Sequence, residues 1–287
     1  MTALAEVAQA VPVRTRAPLN RFLRSELRMV LRRPRTIIFI VGLALVPVAA
    51  GIGFAVAGNG ADDGPPGMTI SGILDGNGLM LPIFGLVVSL NMLLPLSGAM
   101  WAADAVAGES SAGTLRGLLL APVGRARLLA VKAFGVATVT TIAVTVMTVT
   151  GTITGVLLLG GDGMLTMSGS TLGVADALGR VLLTAALVTV HVWAVAAIAL
   201  AVSTFTDHPL VVLAVALGTI VVFTVLGAIQ ALDWLHPYLI TTAWQSVLDV
   251  VRDPLPLDGI TTGLLQAACY VVIGYSIALA RVLTKDG

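Results

Sequence analysis

The residues able to do acid–base, nucleophilic or metal chemistry are few and scattered. Three histidines, His191, His208 and His236, fall in different segments, and Cys269 is the single cysteine. There is no His-Glu-x-x-His and no His/Cys cluster, so no metal site is expected. There is no Gly-x-x-x-x-Gly-Lys-Ser/Thr loop, so the chain is not expected to hydrolyse ATP alone. No nucleophile motif accompanies the histidines, and no catalytic residue is assigned. Polar chemistry gathers instead in one stretch, Trp101 to Arg127. Asp104 and Glu109 make its acidic start, and Gly113 and Thr114 suit a helix entry. Thr114 can cap the free N–H groups of the next turn. Leu115, Leu118 and Leu119 follow at helical spacing, Pro122 ends the pattern, and Arg125, Arg127 and Lys132 mark the return to apolar sequence. A short helix that is apolar on one side needs a surface to pack against.

The elements that must position this stretch are apolar. Of 287 residues, 57% are hydrophobic and 11% charged, against about 45–50% and about 25% in soluble domains. That balance excludes an ordinary soluble enzyme, and it excludes disorder. A span needs about 20 mostly apolar residues. Six such runs are present, at about 37–57, 79–102, 128–159, 181–202, 210–232 and 260–283. The expected fold is therefore an all-α polytopic membrane protein.

Six spans place both termini on one side, and Lys and Arg decide which. Fourteen of the 16 basic residues fall on the side of the termini; only Arg180 and Arg252 fall on the other, whose loops carry nine aspartates. Both termini are expected to be cytoplasmic. The first apolar run starts too late and is too long for a cleaved signal peptide. Fourteen arginines against two lysines, with abundant Ala, Val and Gly, suggest a GC-rich bacterial genome.

Residues 18–34 read as an amphipathic entry helix, with 1–17 a flexible tail. Leu19, Phe22, Leu23, Leu27, Val30 and Leu31 form its apolar stripe. Arg21, Arg24, Arg28 and Arg32 form the other face, Glu26 is the helix's acid, and Pro34 ends the pattern. Such a helix is expected in the inner headgroup layer, arginines on anionic lipid and leucines dipping below. It serves either as a topology anchor or as a contact for a cytoplasmic partner. The basic stripe is too small and too tied to the membrane to point to nucleic acid.

Polar groups at membrane depth are functional candidates. His191 falls mid-span and either lines a path or is a neutral histidine bonded to a neighbouring span. Asn91 either lines a central cavity or makes an interhelical hydrogen bond. No Asp, Glu, Lys or Arg occupies the centre of a span, which argues against an ion-coupled carrier. Gly151 and Gly155 form a small-xxx-small pattern that allows close helix approach. Pro47, Pro82 and Pro95 can kink the first two spans. The last outer loop carries Trp234, His236, Tyr238 and Trp244, suited to an interfacial belt or an outer gate.

The stretch after the second span resembles the signature of type-2 ATP-binding-cassette (ABC) transporter permeases. The matching positions are Asp104, Gly108, Glu109, Gly113, Thr114, Leu115, Leu118, Leu119, Pro122, Arg125 and Lys132. The six-span plan and the basic entry helix agree over essentially the whole chain. Ser110, Ser111, Arg116 and Val131 depart from the family pattern. The resemblance implies one type-2 ABC transmembrane domain over 18–287, with 103–127 as the coupling loop, its short coupling helix and short extracellular re-entrant helices. It implies an exporter in which that loop seats on a separate ATPase subunit. Two ATPase copies, carrying ATP and Mg, would serve a pair of permease chains, expected to be a homodimer. The chain itself would hold no cofactor. Phe22, Arg24, Glu26 and Arg28 would act with the coupling loop as levers. The expected cargo is amphipathic or hydrophobic: a drug, antibiotic, peptide or lipid. A secondary carrier, an intramembrane enzyme or a non-transporting immunity or scaffold protein are the alternatives.

Overall fold

The computed structural model describes residues 19–60, 76–111, 113 and 124–284. The expected tail at 1–17 and most of the coupling segment, including Thr114, Leu115, Leu118, Leu119 and Pro122, lie outside the described residues.

Helix α1 (Leu19–Leu31) leads through a tight turn into α2 (Pro34–Gly60). Next come α3 (Met80–Leu90), α4 (Leu93–Ser111) and the long α5 (Arg125–Leu159). A two-residue hairpin, β1 (Met164–Leu165) with β2 (Thr171–Leu172), precedes α6 (Val174–Ser203) and α7 (Pro209–Gly227). Short helical turns occupy Gln230–Tyr238, α8 (Ile240–Ala243) and Trp244–Val251, before α9 (Leu257–Thr284). Among the described residues five of these helices are long and apolar enough to cross a membrane, six if the bent pair α3–α4 is counted as one span. The chain is a multi-pass membrane protein.

The second span is not one helix: α3 and α4 meet at 57° across Asn91 and Met92. Pro95 supplies the reason. It has no N–H for the carbonyl of residue 91, and its ring crowds that carbonyl. The backbone tightens there, with Asn91 N–H on the Val88 carbonyl and Met92 N–H on that of Ser89. Helix α7, the fifth apolar run of the sequence, stops at Gly227, not near 232, because the chain turns through Ala228 and Ile229 into the 3-10 segment.

Threonine-rich α5 is comfortable in an apolar setting because its hydroxyls bond back to carbonyls one turn earlier. Thr140 donates to the Val136 carbonyl, Thr148 to Val144 and Thr152 to Thr148. No hydroxyl in these pairs is left for lipid to solvate. Helix α6 is the centre of the bundle, with Val188, His191, Val192 and Ala194 fully buried. Helices α2, α7 and α9 form the rim and expose most of their apolar side chains.

Glycines set the closest approaches. A Cβ on Gly155 would lie 2.0 Å from the Gly78 carbonyl oxygen, and one on Gly151 would lie 2.9 Å from Pro82 Cα. The small-xxx-small pair of α5 thus receives the start of α3. That joint is tied further by Gly78 N–H on the Gly160 carbonyl and by Asn77, whose amide bonds both N–H and C=O of Leu165.

Candidate functional site: a buried charge cluster at the basic end

The bundle has a basic end, where α1, the close of α4 and the start of α5 meet, and an acidic end carrying the hairpin and the turns of residues 230–251. The chemistry is at the basic end. Lys132 Nζ donates to Glu26 Oε1 at 2.9 Å and Oε2 at 3.1 Å, and to Glu109 Oε1 at 2.5 Å. Arg33 Nη2 donates to the same Glu109 oxygen at 3.4 Å. Glu26, Glu109 and Lys132 are 8%, 6% and 4% exposed. Among the described residues two carboxylates face one ammonium and one guanidinium, so their charges balance. Buried ions hold only when paired and hydrogen-bonded, and these are.

Each member arrives from a different element. Glu26 sits in the apolar stripe of α1, Glu109 in the last turns of α4, Lys132 in the second turn of α5 and Arg33 in the turn before α2. The C-terminal part of the α1 stripe packs against the bundle. Val30 joins the core with Leu27 and Leu31 packed beside it, and the Cγ of Glu26 lies where a Gly135 Cβ would crowd it, at 3.0 Å. The apolar face therefore serves the protein interior, and that is why an acid on it must find Lys132. Phe22 is covered by the Arg127 guanidinium, 5.3 Å from the ring centroid. Arg24 and Arg28 are exposed.

Around the cluster, Asp104 is half-buried and stays beside its own helix at Gly108. Ser110 Oγ donates to Asp207 Oδ1 in the turn between α6 and α7. Gly113 takes φ +71°, closing a turn on the Ser110 carbonyl just past α4. Arg125 opens α5. At the same end, Arg281 covers Phe205 at 5.2 Å.

The mid-span candidates do not meet this cluster. His191 is fully buried, and its Nδ1 bonds the Leu187 carbonyl of its own helix at 2.8 Å, not a neighbouring span; Nε2 has no partner among the described residues. Asn91 is exposed at the α3–α4 break and donates to the Val87 carbonyl of its own span at 2.9 Å. An entirely apolar groove opens instead between α2, α4 and α7, lined by Phe39, Leu96, Met100, Leu213, Ala214 and Leu217.

At the acidic end, Trp234 and Tyr238 are exposed and Trp244 is buried. His236 Nδ1 lies 3.5 Å from Asp233. Tyr270 donates to the Tyr238 carbonyl, tying the turns to α9. The hairpin is joined to the same turns by Ser170 Oγ donating to Asp253 Oδ2 at 2.9 Å and Asp253 N–H donating to Ser168 Oγ at 3.0 Å. Arg180 adds bonds to the Val250 and Arg252 carbonyls. Among the described residues no group of three His, Cys, Asp or Glu could hold a metal ion.

Sequence reasoning named Glu26, Glu109 and Lys132 without joining them; it allowed Glu109 a basic partner on the ATPase or on the entry helix, and Arg33 at the end of that stretch is such a partner, but it missed Asp207. The available signal was Glu26, an acid on the apolar stripe of a helix whose cations all lie elsewhere. Comparison with curated proteins finds no match. Residues 22–252 match the family model described as ABC-2 family transporter protein, and with most of its length covered the chain belongs to that family.

Proposed function

We propose that the chain is the membrane permease of an ATP-driven exporter, moving an amphipathic or hydrophobic cargo out across a bacterial cytoplasmic membrane. The observation that carries this reading is the Glu26–Lys132–Glu109 cluster. It locks α1 and the ends of two spans into one body at the foot of the segment 112–123. A push on that segment from a docked ATPase reaches α4, α5 and α1 together. The positive-inside bias puts this basic end, with both termini, in the cytoplasm. ATP and Mg belong to the partner, in two copies, and a second copy of this chain, a homodimer, completes the path.

Asp104, Gly113, Thr114, Leu115, Leu118, Leu119, Pro122 and Arg125 form the docking segment in this reading. Glu109 and Lys132 act behind it as positioning residues, with Phe22, Glu26 and the α1 arginines as the lever. The apolar groove between α2, α4 and α7 favours a cargo with a large hydrophobic surface over a small ion. The turns with Trp234, His236, Tyr238 and Trp244 form an outer gate, the short helices there re-entering the membrane. Residues 18–287 act as one domain.

The test is purification of the chain from its native membrane in mild detergent, assayed for vanadate-sensitive ATP hydrolysis. The expected result is a co-purifying ATPase that is lost when Gly113 to Leu119 are deleted. Absence of any ATPase from intact permease would overturn the reading in favour of a carrier or a non-transporting membrane protein.

A further inference from the structure

Five arginines near the basic end have no use inside the molecule. Arg21, Arg24 and Arg28 share the outer face of α1, and Arg32 and Arg35 continue it across the turn into α2; all five are exposed. Among the described residues none forms an ion pair, whereas their neighbour Arg33 does. The nearest acid on the same helix, Glu26, is turned inward onto Lys132. The apolar stripe of α1 is also spent on the interior, so the arginines are presented outward by a helix that cannot roll to hide them.

Directly below Arg35 the surface changes character. Arg35, Ile38, Gly42 and Leu45 recur at helical spacing along one face of α2. Ile38 is 67% and Leu45 57% exposed. Gly42 has open space where a Cβ would stand. This is a shallow apolar track, notched at Gly42, with Arg35 at its head and Arg32 and Arg28 preceding it in the chain.

We infer that Arg28, Arg32 and Arg35, together with the Ile38–Gly42–Leu45 track, bind an anionic phospholipid, its phosphate on the arginines and an acyl chain along α2. Planar guanidiniums bond phosphate oxygens in pairs. An acidic protein surface would satisfy the arginines but leave the track uncovered, whereas a phospholipid matches both halves. A zwitterionic headgroup carries its own cation and gains little. The site shares Arg28 with the lever of the transport reading but does not depend on that reading.

The experiment uses the purified full chain in neutral detergent, with phosphatidylglycerol and phosphatidylcholine of matched acyl chains, and bound lipid read by native mass spectrometry. Wild type is expected to retain phosphatidylglycerol over phosphatidylcholine, less so as salt rises. Each cation near a headgroup is worth about fivefold in binding, so Arg28→Gln with Arg32→Gln and Arg35→Gln should weaken phosphatidylglycerol on the order of 100-fold. Phosphatidylcholine binding should not change. The corresponding triple lysine variant should keep most of the preference, which separates lost charge from lost fold. Arg180→Gln with Arg252→Gln, at the far end, should keep all of it. Equal retention of both lipids by wild type would overturn the proposal, as would an undiminished preference in the glutamine variant. Displacement of the lipid by water-soluble glycerol phosphate at equal concentration would also overturn it, since the track would then contribute nothing. Loss of a co-purifying ATPase in the glutamine variant, with lipid preference intact, would assign this face to the protein partner.

Discussion

Glu26 and Glu109 accept hydrogen bonds from the same ammonium, that of Lys132, although one lies on the first helix and the other at the end of the second span. Neither carboxylate could be buried there alone. Their shared cation makes α1 part of the bundle and not an accessory on its surface.

Replacing Lys132 by Met should be the most damaging change at the basic end. It leaves Glu26 buried without the cation it pairs with and Glu109 with Arg33 at 3.4 Å, and breaking a buried pair costs about 3–5 kcal/mol. Glu26→Gln should cost less, since Lys132 keeps Glu109. Thermal unfolding in detergent, followed by intrinsic fluorescence, should rank the melting temperatures wild type, Glu26→Gln, Lys132→Met. Equal values for all three would mean the cluster is solvated in the membrane.

Reversing the pair should recover what single reversals lose. Glu26→Lys leaves three cations around one carboxylate, and Lys132→Glu leaves three carboxylates around one guanidinium. The double variant restores the balance. Its melting temperature and its ATPase stimulation should lie nearer to wild type than either single change, an interaction of about 0.5–3 kcal/mol. Strict additivity would argue that the two residues act separately.

Gly78→Ala should abolish folded protein, because its Cβ would lie 2.2 Å from two carbonyl oxygens, those of Gly155 and Gly160. Backbone cannot yield there as a flexible side chain would. Gly53→Ala, where nothing lies within 4 Å, is the matched control and should leave the yield unchanged. Size-exclusion profiles of the two variants decide the point.

His191→Leu should leave the melting temperature unchanged or raise it. The imidazole makes one bond, to a carbonyl of its own helix, and buries a second nitrogen without a partner. Loss of an unpaired polar atom offsets loss of the bond. A fall of many degrees, or loss of transport at unchanged stability, would show that Nε2 meets a ligand in another state.

Asp253→Asn should loosen the acidic end without unfolding the bundle. Its carboxylate receives Ser170 and lies 3.6 Å from Arg180. That ion pair is partly exposed, so the expected cost is about 1 kcal/mol or less. Hydrogen exchange should rise in residues 164–172 and 247–253 and stay unchanged in α5 and α6. Faster exchange throughout would mean that this contact supports the whole fold.

The number of spans, their approximate places, the amphipathic first helix and the segregation of cations to one end were all written in the amino-acid order. Each depends on local periodicity or composition, and hydrocarbon imposes the same demand on every apolar run. The glycine pair at 151 and 155 was legible for a related reason: absent side chains mark where backbones can meet. Tertiary structure alone decided the rest. That Pro95 would break the second span at Asn91, and not merely bend it, depended on how α3 and α4 pack on α5 and α6. Whether the leucines of α1 faced lipid or protein was undecided by amphipathicity, since both present an apolar surface. The partner of Glu26 was equally invisible, because an ion pair between residues 26 and 132 leaves no spacing to read; it exists only once three helices are folded onto one another.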